Sequence, residues 1–209
     1  MSQPIKLTYF DFDGGRGEPA RIALAIGGIE FEDDRVPGAT WPARKAETPF
    51  GSLPVLEIDG KRLTQSNAIN RYIARRTGLY PTDAWQAALC DEVCDAAEDF
   101  NGILGQTMGI ADREALRAAR EKLVGGKLPL FLRRFEALLQ EHGGEWFADN
   151  RFTIADLKVA DIVRHMQSGR LDFIPQDIVE QVAPKLAAHR ARVLAIPGVA
   201  AYYARRAIK

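Results

Sequence analysis

The chain has 209 residues, 46% of them hydrophobic, and its 28 lysines and arginines are balanced by 28 aspartates and glutamates. That content supports one or two packed domains, and a balance with neither a basic arm nor an acidic tail argues against nucleic-acid binding through a charged face. Only two cysteines, no apolar run of membrane-spanning length, and an N-terminus, MSQPIKLTYF, that enters a strand without a signal-peptide core lead to the expectation of a cytoplasmic protein with no membrane partner.

Ile5, Leu7 and Tyr9 alternate as in a half-buried strand, and the loop FDFDGGRGEP follows. Pro19 opens a helix carrying Ile22, Ala25 and Ile26 that ends at Gly27-Gly28. Phe31 to Val36 reads as a weaker strand, and Trp41 and Lys45, four residues apart, lie in a polar, proline-rich loop. Pro54 has no N–H, so it belongs at the first residue of a strand and leaves Leu53 beside it with a backbone free to pair. Val55, Leu56 and Ile58 continue that strand. Asp59-Gly60 is the favoured pair for a type I′ turn, and Lys61 to Thr64 returns antiparallel. Gln65-Ser66-Asn67 then precedes Ile69, Tyr72 and Ile73 at helical spacing, with Ser66 as the expected N-cap and Gly78 as the stop. A helix N-terminus with free N–H groups attracts a carboxylate. The order β-α-β, then ββα, is that of the thioredoxin-like fold and assigns residues 1–78 to one domain. In that fold the loop after the first strand usually carries a Cys-x-x-Cys pair. This loop has no cysteine, so disulfide exchange is excluded there and the group left at the strand's end is the Tyr9 hydroxyl.

Beyond Gly78 every long periodic segment is helical. Leu79-Tyr80-Pro81-Thr82 is the expected linker, and residues 83–209 are expected to form an all-helical domain. Its helices are placed at about 83–105, 113–142, 154–168, and through the final third to Arg206, with breaks at Pro184 and Pro197-Gly198. Thr153 and Asp156 form a capping-box variant, so Asp156 is read as structural despite its charge. Cys90 and Cys94 share a helix face but have no histidine or further cysteine at ligand spacing, and are read as core residues. His142, His165 and His189 fit no triad or ligand set, and no metal site is expected. Gly14-Gly15-Arg16-Gly17 fails the dinucleotide-binding spacing.

Taken together, YF and RGEPAR near the start, WPARK, PFGSLPVLEIDG and QSNAINRYIA resemble the cytosolic glutathione transferases. They are most similar to the sigma class, which includes prostaglandin D synthases and lens S-crystallins. The resemblance implies the glutathione transferase fold, α/β followed by all-α. It also implies transfer of glutathione sulfur to small hydrophobic electrophiles, with glutathione as co-substrate and no other cofactor. A thiol with a pKa of about 8.5 is only a few per cent thiolate at pH 7. Tyr9, whose reference pKa is about 10, stays protonated and donates its O–H to the sulfur anion. By the same resemblance Arg16 adds positive potential beside the sulfur and helps hold the loop. Gln65 and Ser66 hold the γ-glutamyl carboxylate, and Leu53, before Pro54, pairs with the cysteinyl backbone like an added strand. Trp41 and Lys45 meet the glycine carboxylate through the indole N–H and the ammonium.

Family members are dimers. The resemblance therefore implies a homodimer in which the partner subunit's Asp99 reaches the γ-glutamyl ammonium, and Phe50 packs either into the partner or within its own domain. The electrophile pocket is expected to be walled by Phe10 and Phe12, by Ile103 and Met108, and by Tyr202. One departure stands out: the loop from Tyr9 to Arg16 is one residue longer than the usual sigma pattern. It carries Asp11 and Asp13, negative charge near where the thiolate forms. Two other readings use the same fold, a glutathione-dependent isomerase of the prostaglandin D synthase kind and a non-catalytic, S-crystallin-like protein. The intact set Tyr9, Trp41, Lys45, Gln65 and Ser66 speaks against the second.

Overall fold

The computed structural model describes residues 5–207, which fall into two compact units, one made of residues up to Tyr80 together with those from Ile196 onward, the other of Pro81–Ala195. In the first unit β1 (Ile5–Phe10), β2 (Glu32–Val36), β3 (Val55–Ile58) and β4 (Lys61–Thr64) form one sheet in the order β2-β1-β3-β4. Strands β1 and β2 are parallel and joined by α1 (Glu18–Ile26), and the other pairings are antiparallel. With α3 (Ser66–Thr77) packed against α1, this is the thioredoxin-like order that the alternation of Ile5, Leu7 and Tyr9 foreshadows. Those three side chains are all buried. Asp59 and Gly60 both have positive φ, 54° and 72°, as a type I′ turn requires.

Three expectations need correcting in this unit. The segment between β2 and β3 is no plain loop: it holds a short helix, α2 (Trp41–Arg44), between 3-10 turns at Gly38–Thr40 and Lys45–Glu47, each too short to leave a periodic signal. Ser66 is not the N-cap of α3 but its first residue, and the cap position is taken by Gln65, whose side chain makes no capping bond. The last helix, α10 (Pro197–Ala207), was expected in the all-helical domain 83–209 but belongs to the first unit. It packs on α1, where Val199 and Tyr202 are buried and Gly198 lies against Ile26.

The second unit holds α4 (Ala84–Gly105), α5 (Arg113–Val124), α6 (Lys127–Glu141), α7 (Ile154–Met166), α8 (Ile178–Val182) and α9 (Pro184–Leu194). Asp83 caps α4 by accepting the Gln86 N–H at 2.9 Å. The single helix expected over 113–142 is two, because at Gly126 the backbone leaves helical space, with φ −142° and ψ −94°. Helix α7 packs on α4 and α9 and carries the expected capping box. The Asp156 carboxylate accepts bonds from the Thr153 N–H and hydroxyl, the Phe147 N–H and His189 Nε2, all at 2.7 to 3.1 Å. Cys90 and Cys94 are buried core residues of α4. Among the described residues no helix is long and apolar enough to cross a membrane, and no cluster of histidine, cysteine or acidic side chains has metal-binding geometry.

Candidate functional site

Strand register brings the predicted residues of the first unit to one end of the sheet. Thr8 pairs with Val55, and Val55 with Thr64. The next residues along each strand are Tyr9, Pro54 and Gln65, so Tyr9, the Leu53-Pro54 bond and the start of α3 stand in one row. The Leu53-Pro54 bond is cis. Tyr9, Leu53, Val36 and Val55 form a buried cluster against which Phe10 and Trp41 pack, with Phe10 meeting Tyr9 and Trp41 edge to face at 5.5 and 5.4 Å. Trp41 is half-buried and Lys45, one helical turn on, is exposed. Gln65 has φ 70° and ψ 116°, a backbone conformation that side chains with a Cβ rarely adopt and that costs roughly 1–3 kcal/mol where it is held. It delivers buried Ser66 and the first N–H groups of a twelve-residue helix to that row.

The loop after β1 wraps the ring of Tyr9. Arg16 donates its backbone N–H to the Tyr9 hydroxyl oxygen at 3.0 Å, and Phe12 meets the ring edge to face at 5.5 Å. A hydroxyl oxygen that accepts a bond becomes a better donor through its own hydrogen. Gly15 and Gly17 permit the approach: a Cβ on Gly15 would lie 2.7 Å from the Tyr9 oxygen, and one on Gly17 would lie 2.4 Å from Cγ of the ring. Sequence reasoning gave Arg16 a role through its charge; the geometry adds a role for its amide, which no residue type encodes.

Asp11 and Asp13 are expected to burden this loop with negative charge, but both are paired. Arg35 bonds Asp11 at 3.1 Å, Asp13 at 2.6 Å and Asp33 at 2.9 Å. Burial alone would raise the Asp13 carboxyl; the bond from Arg35 and the charges of Arg206, Arg35 and Arg21 outweigh it and hold the group below its usual range. Arg21, fully buried, was not among the predicted residues. Its guanidinium bonds the carbonyls of Phe12 at 3.0 Å and Phe10 at 3.3 Å, Asp33 at 2.8 Å and Glu18 at 3.4 Å, and lies 5.5 Å from the centre of the Tyr9 ring. The one available signal was Glu18 and Arg21 at i,i+3 spacing on an otherwise apolar helix.

The expected pocket residues fare differently. Phe10 is half-buried and Phe12 exposed, both beside Tyr9, whereas Ile103 is half-buried and Met108 exposed in the second unit. Tyr202 is buried in the first unit, where its hydroxyl donates to Glu18 at 3.0 Å, its ring lies on α10 beside Arg206, and it lines a cavity with Ile26, Phe31 and Arg205. Asp99 is exposed on α4, and Phe50 is 69% exposed.

Comparison with known proteins agrees with this geometry. Residues 5–75 match the model of the glutathione S-transferase N-terminal domain, and residues 99–206 that of the C-terminal domain. Glutathione S-transferase 1 of Ascaris suum is 36% identical over 176 residues, 81% of this chain and 83% of that protein. Hematopoietic prostaglandin D synthase of Gallus gallus is 33% identical over 96% of each chain. The solved structure of prostaglandin synthase D of Nilaparvata lugens superposes with a TM-score of 0.86 at 30% identity, covering 97% of this chain and 98% of that one. With both domain models matched and such relatives spanning nearly its whole length, the chain belongs to the glutathione S-transferase family and is of the sigma-like type.

Proposed function

We propose that this transferase conjugates the glutathione thiolate to small hydrophobic electrophiles, with the Tyr9 hydroxyl stabilising the sulfur anion. The observation that carries the reading is the buried Tyr9 hydroxyl, polarised by the Arg16 N–H in line with the Leu53 backbone and the α3 N-terminus. Glutathione is a tripeptide with a carboxylate at each end, and this row supplies what it needs. The N–H groups at Gln65 and Ser66 take the γ-glutamyl carboxylate, Leu53 pairs with the cysteinyl backbone, and Trp41 and Lys45 take the glycine carboxylate. The thiol then lies at Tyr9 and Arg16. The conjugate forms by attack of sulfur on an electrophilic carbon, whose leaving group departs with the electron pair. The step needs neither a metal nor a further cofactor.

Exposed Phe50 and Asp99 support a homodimer, with Phe50 as an apolar anchor and the partner subunit's Asp99 on the γ-glutamyl ammonium. A cytoplasmic address fits a chain whose two cysteines stay free. The similarity to prostaglandin D synthases supports a second reading, a glutathione-dependent isomerase using the same thiolate on a peroxide substrate.

The test is retention on immobilised glutathione followed by turnover of a chlorodinitrobenzene-type electrophile and of a prostaglandin-like endoperoxide. Retention with conjugate formation is the expected result, isomerised endoperoxide without conjugate would select the second reading, and no retention would overturn both.

A further inference from the structure

Helix α10 reaches the loop that wraps Tyr9 through Arg206. Arg206 sits 3.3 Å from the Asp13 carboxylate, 3.4 Å from Glu18 and 3.2 Å from Asp33, and its guanidinium also bonds the Tyr202 hydroxyl. Asp33 gathers three guanidiniums, those of Arg21, Arg35 and Arg206. The result is a partly buried network of three arginines and four carboxylates, Asp11, Asp13, Glu18 and Asp33. Every member except Arg206 lies on β2, on α1, or in the loop between β1 and α1. Arg206 alone brings a charge from outside the βαβ unit.

We propose that Arg206 is a positioning residue for the thiol-activating hydroxyl, acting from α10 to fix the loop of residues 11–17 so that the Arg16 N–H lies on the Tyr9 oxygen. The proposal rests on the glutathione reading above and deepens it. Two physical effects operate together. A planar fork shared among Asp13, Glu18 and Asp33 sets their mutual geometry, which a single ammonium does not reproduce. Arg206 also supplies one of three positive charges opposing four negative ones. Without it the network carries two excess negative charges near the site where the thiolate forms, and like charge disfavours ionisation.

The experiment compares wild type with Arg206→Gln and Arg206→Lys, with Tyr202→Phe as a milder variant that loosens the same clamp by one hydroxyl. Hydrogen–deuterium exchange of residues 10–18 is followed without ligand. The thiol of bound glutathione is titrated by its ultraviolet thiolate absorbance, and kcat and KM are measured with a chlorodinitrobenzene-type electrophile. Arg206→Gln is expected to speed exchange of the loop amides and to raise the bound thiol pKa by about one unit, a roughly tenfold lower ratio of thiolate to thiol at a given pH. The fall appears in kcat, with KM for glutathione within roughly twofold of wild type. Arg206→Lys is expected to recover the thiol pKa more fully than the loop protection, because it restores charge without the fork. A folded Arg206→Gln protein with wild-type exchange and thiol pKa overturns the proposal; if that variant does not fold, the same two readouts on Tyr202→Phe decide it. Should wild type itself fail to bind or ionise glutathione, the functional reading falls, and the ligand-free exchange data still decide whether Arg206 holds the loop.

Discussion

Replacing Tyr9 by phenylalanine removes one oxygen and leaves the ring between Phe10 and Phe12, at 5.5 Å from each, so its packing is preserved. Two consequences follow from the geometry. The bound thiolate loses a hydrogen bond to a charged group, worth about 1.5–3 kcal/mol. At 1.36 kcal/mol per unit the bound thiol pKa rises by roughly one to two units, and the ratio of thiolate to thiol at a given pH drops about ten- to hundredfold. The Arg16 N–H, which donates to that oxygen at 3.0 Å, also loses its acceptor in a partly buried setting, a penalty of about 1 kcal/mol on folding. The variant should therefore titrate its bound thiol later and unfold earlier in urea, while glutathione affinity measured below the bound thiol pKa, where the neutral thiol is bound, changes little. A bound thiol that titrates at the same pH in both proteins would refute the assignment of Tyr9. Unchanged stability beside a shifted thiol would refute only the role of the Arg16 amide.

Gly17→Ala should destabilise the fold by about 1–3 kcal/mol and depress turnover, because the new Cβ lands 2.4 Å from the Tyr9 ring at an ordinary φ of −86°; wild-type melting and turnover together would contradict that packing. Asp156→Ala strips the acceptor from four bonds and leaves buried donors on Thr153, Phe147 and His189, so chemical denaturation should show a loss of about 3–5 kcal/mol, and a loss below about 1 kcal/mol would show the cap to be dispensable. Burial, reinforced by Arg164, Arg170 and Arg120, lowers the His165 pKa from its ordinary 6.5. The unfolded chain then takes the proton first, so stability falls as pH drops through 6.5 and levels off below the folded value. His165→Gln should flatten that part of the pH–stability curve, and an unchanged slope would refute the assignment. Asp34 is separable from this effect: the bond from Arg44 holds its pKa below 3.8, so its contribution disappears only at lower pH.

What was legible in the sequence is what short-range pattern encodes. Ile5, Leu7 and Tyr9 announce β1 by alternation, Asp59-Gly60 announces the hairpin, and Thr153 with Asp156 announces the start of α7. Tyr9 stood out because the cysteine pair usual after that strand is missing. Residues whose environment comes from far along the chain were not legible. Arg21 reads as a surface arginine on α1 until β2 supplies Asp33 and the loop supplies two carbonyls. That the Tyr202 hydroxyl is taken by Glu18, 184 positions away, is equally out of reach of local pattern. The one-residue error at Ser66 has a local cause: a non-glycine residue with φ 70° at Gln65 is not something propensity anticipates.

The placement of α10 bears on how the chain acquires its structure during synthesis. Domains generally fold as units, the N-terminal one first as it leaves the ribosome. Here the first unit is interrupted by residues 81–195, so the sheet and its helices emerge more than a hundred residues before the segment that completes them. In that interval Glu18 has Arg21 beside it but neither Tyr202 nor Arg206. The nascent unit would hold a loosened loop around Tyr9 until α10 arrives, and its apolar α1 face would stand open where Val199 and Tyr202 later pack. The helical unit, contiguous in sequence, is free to close first even though it is made second.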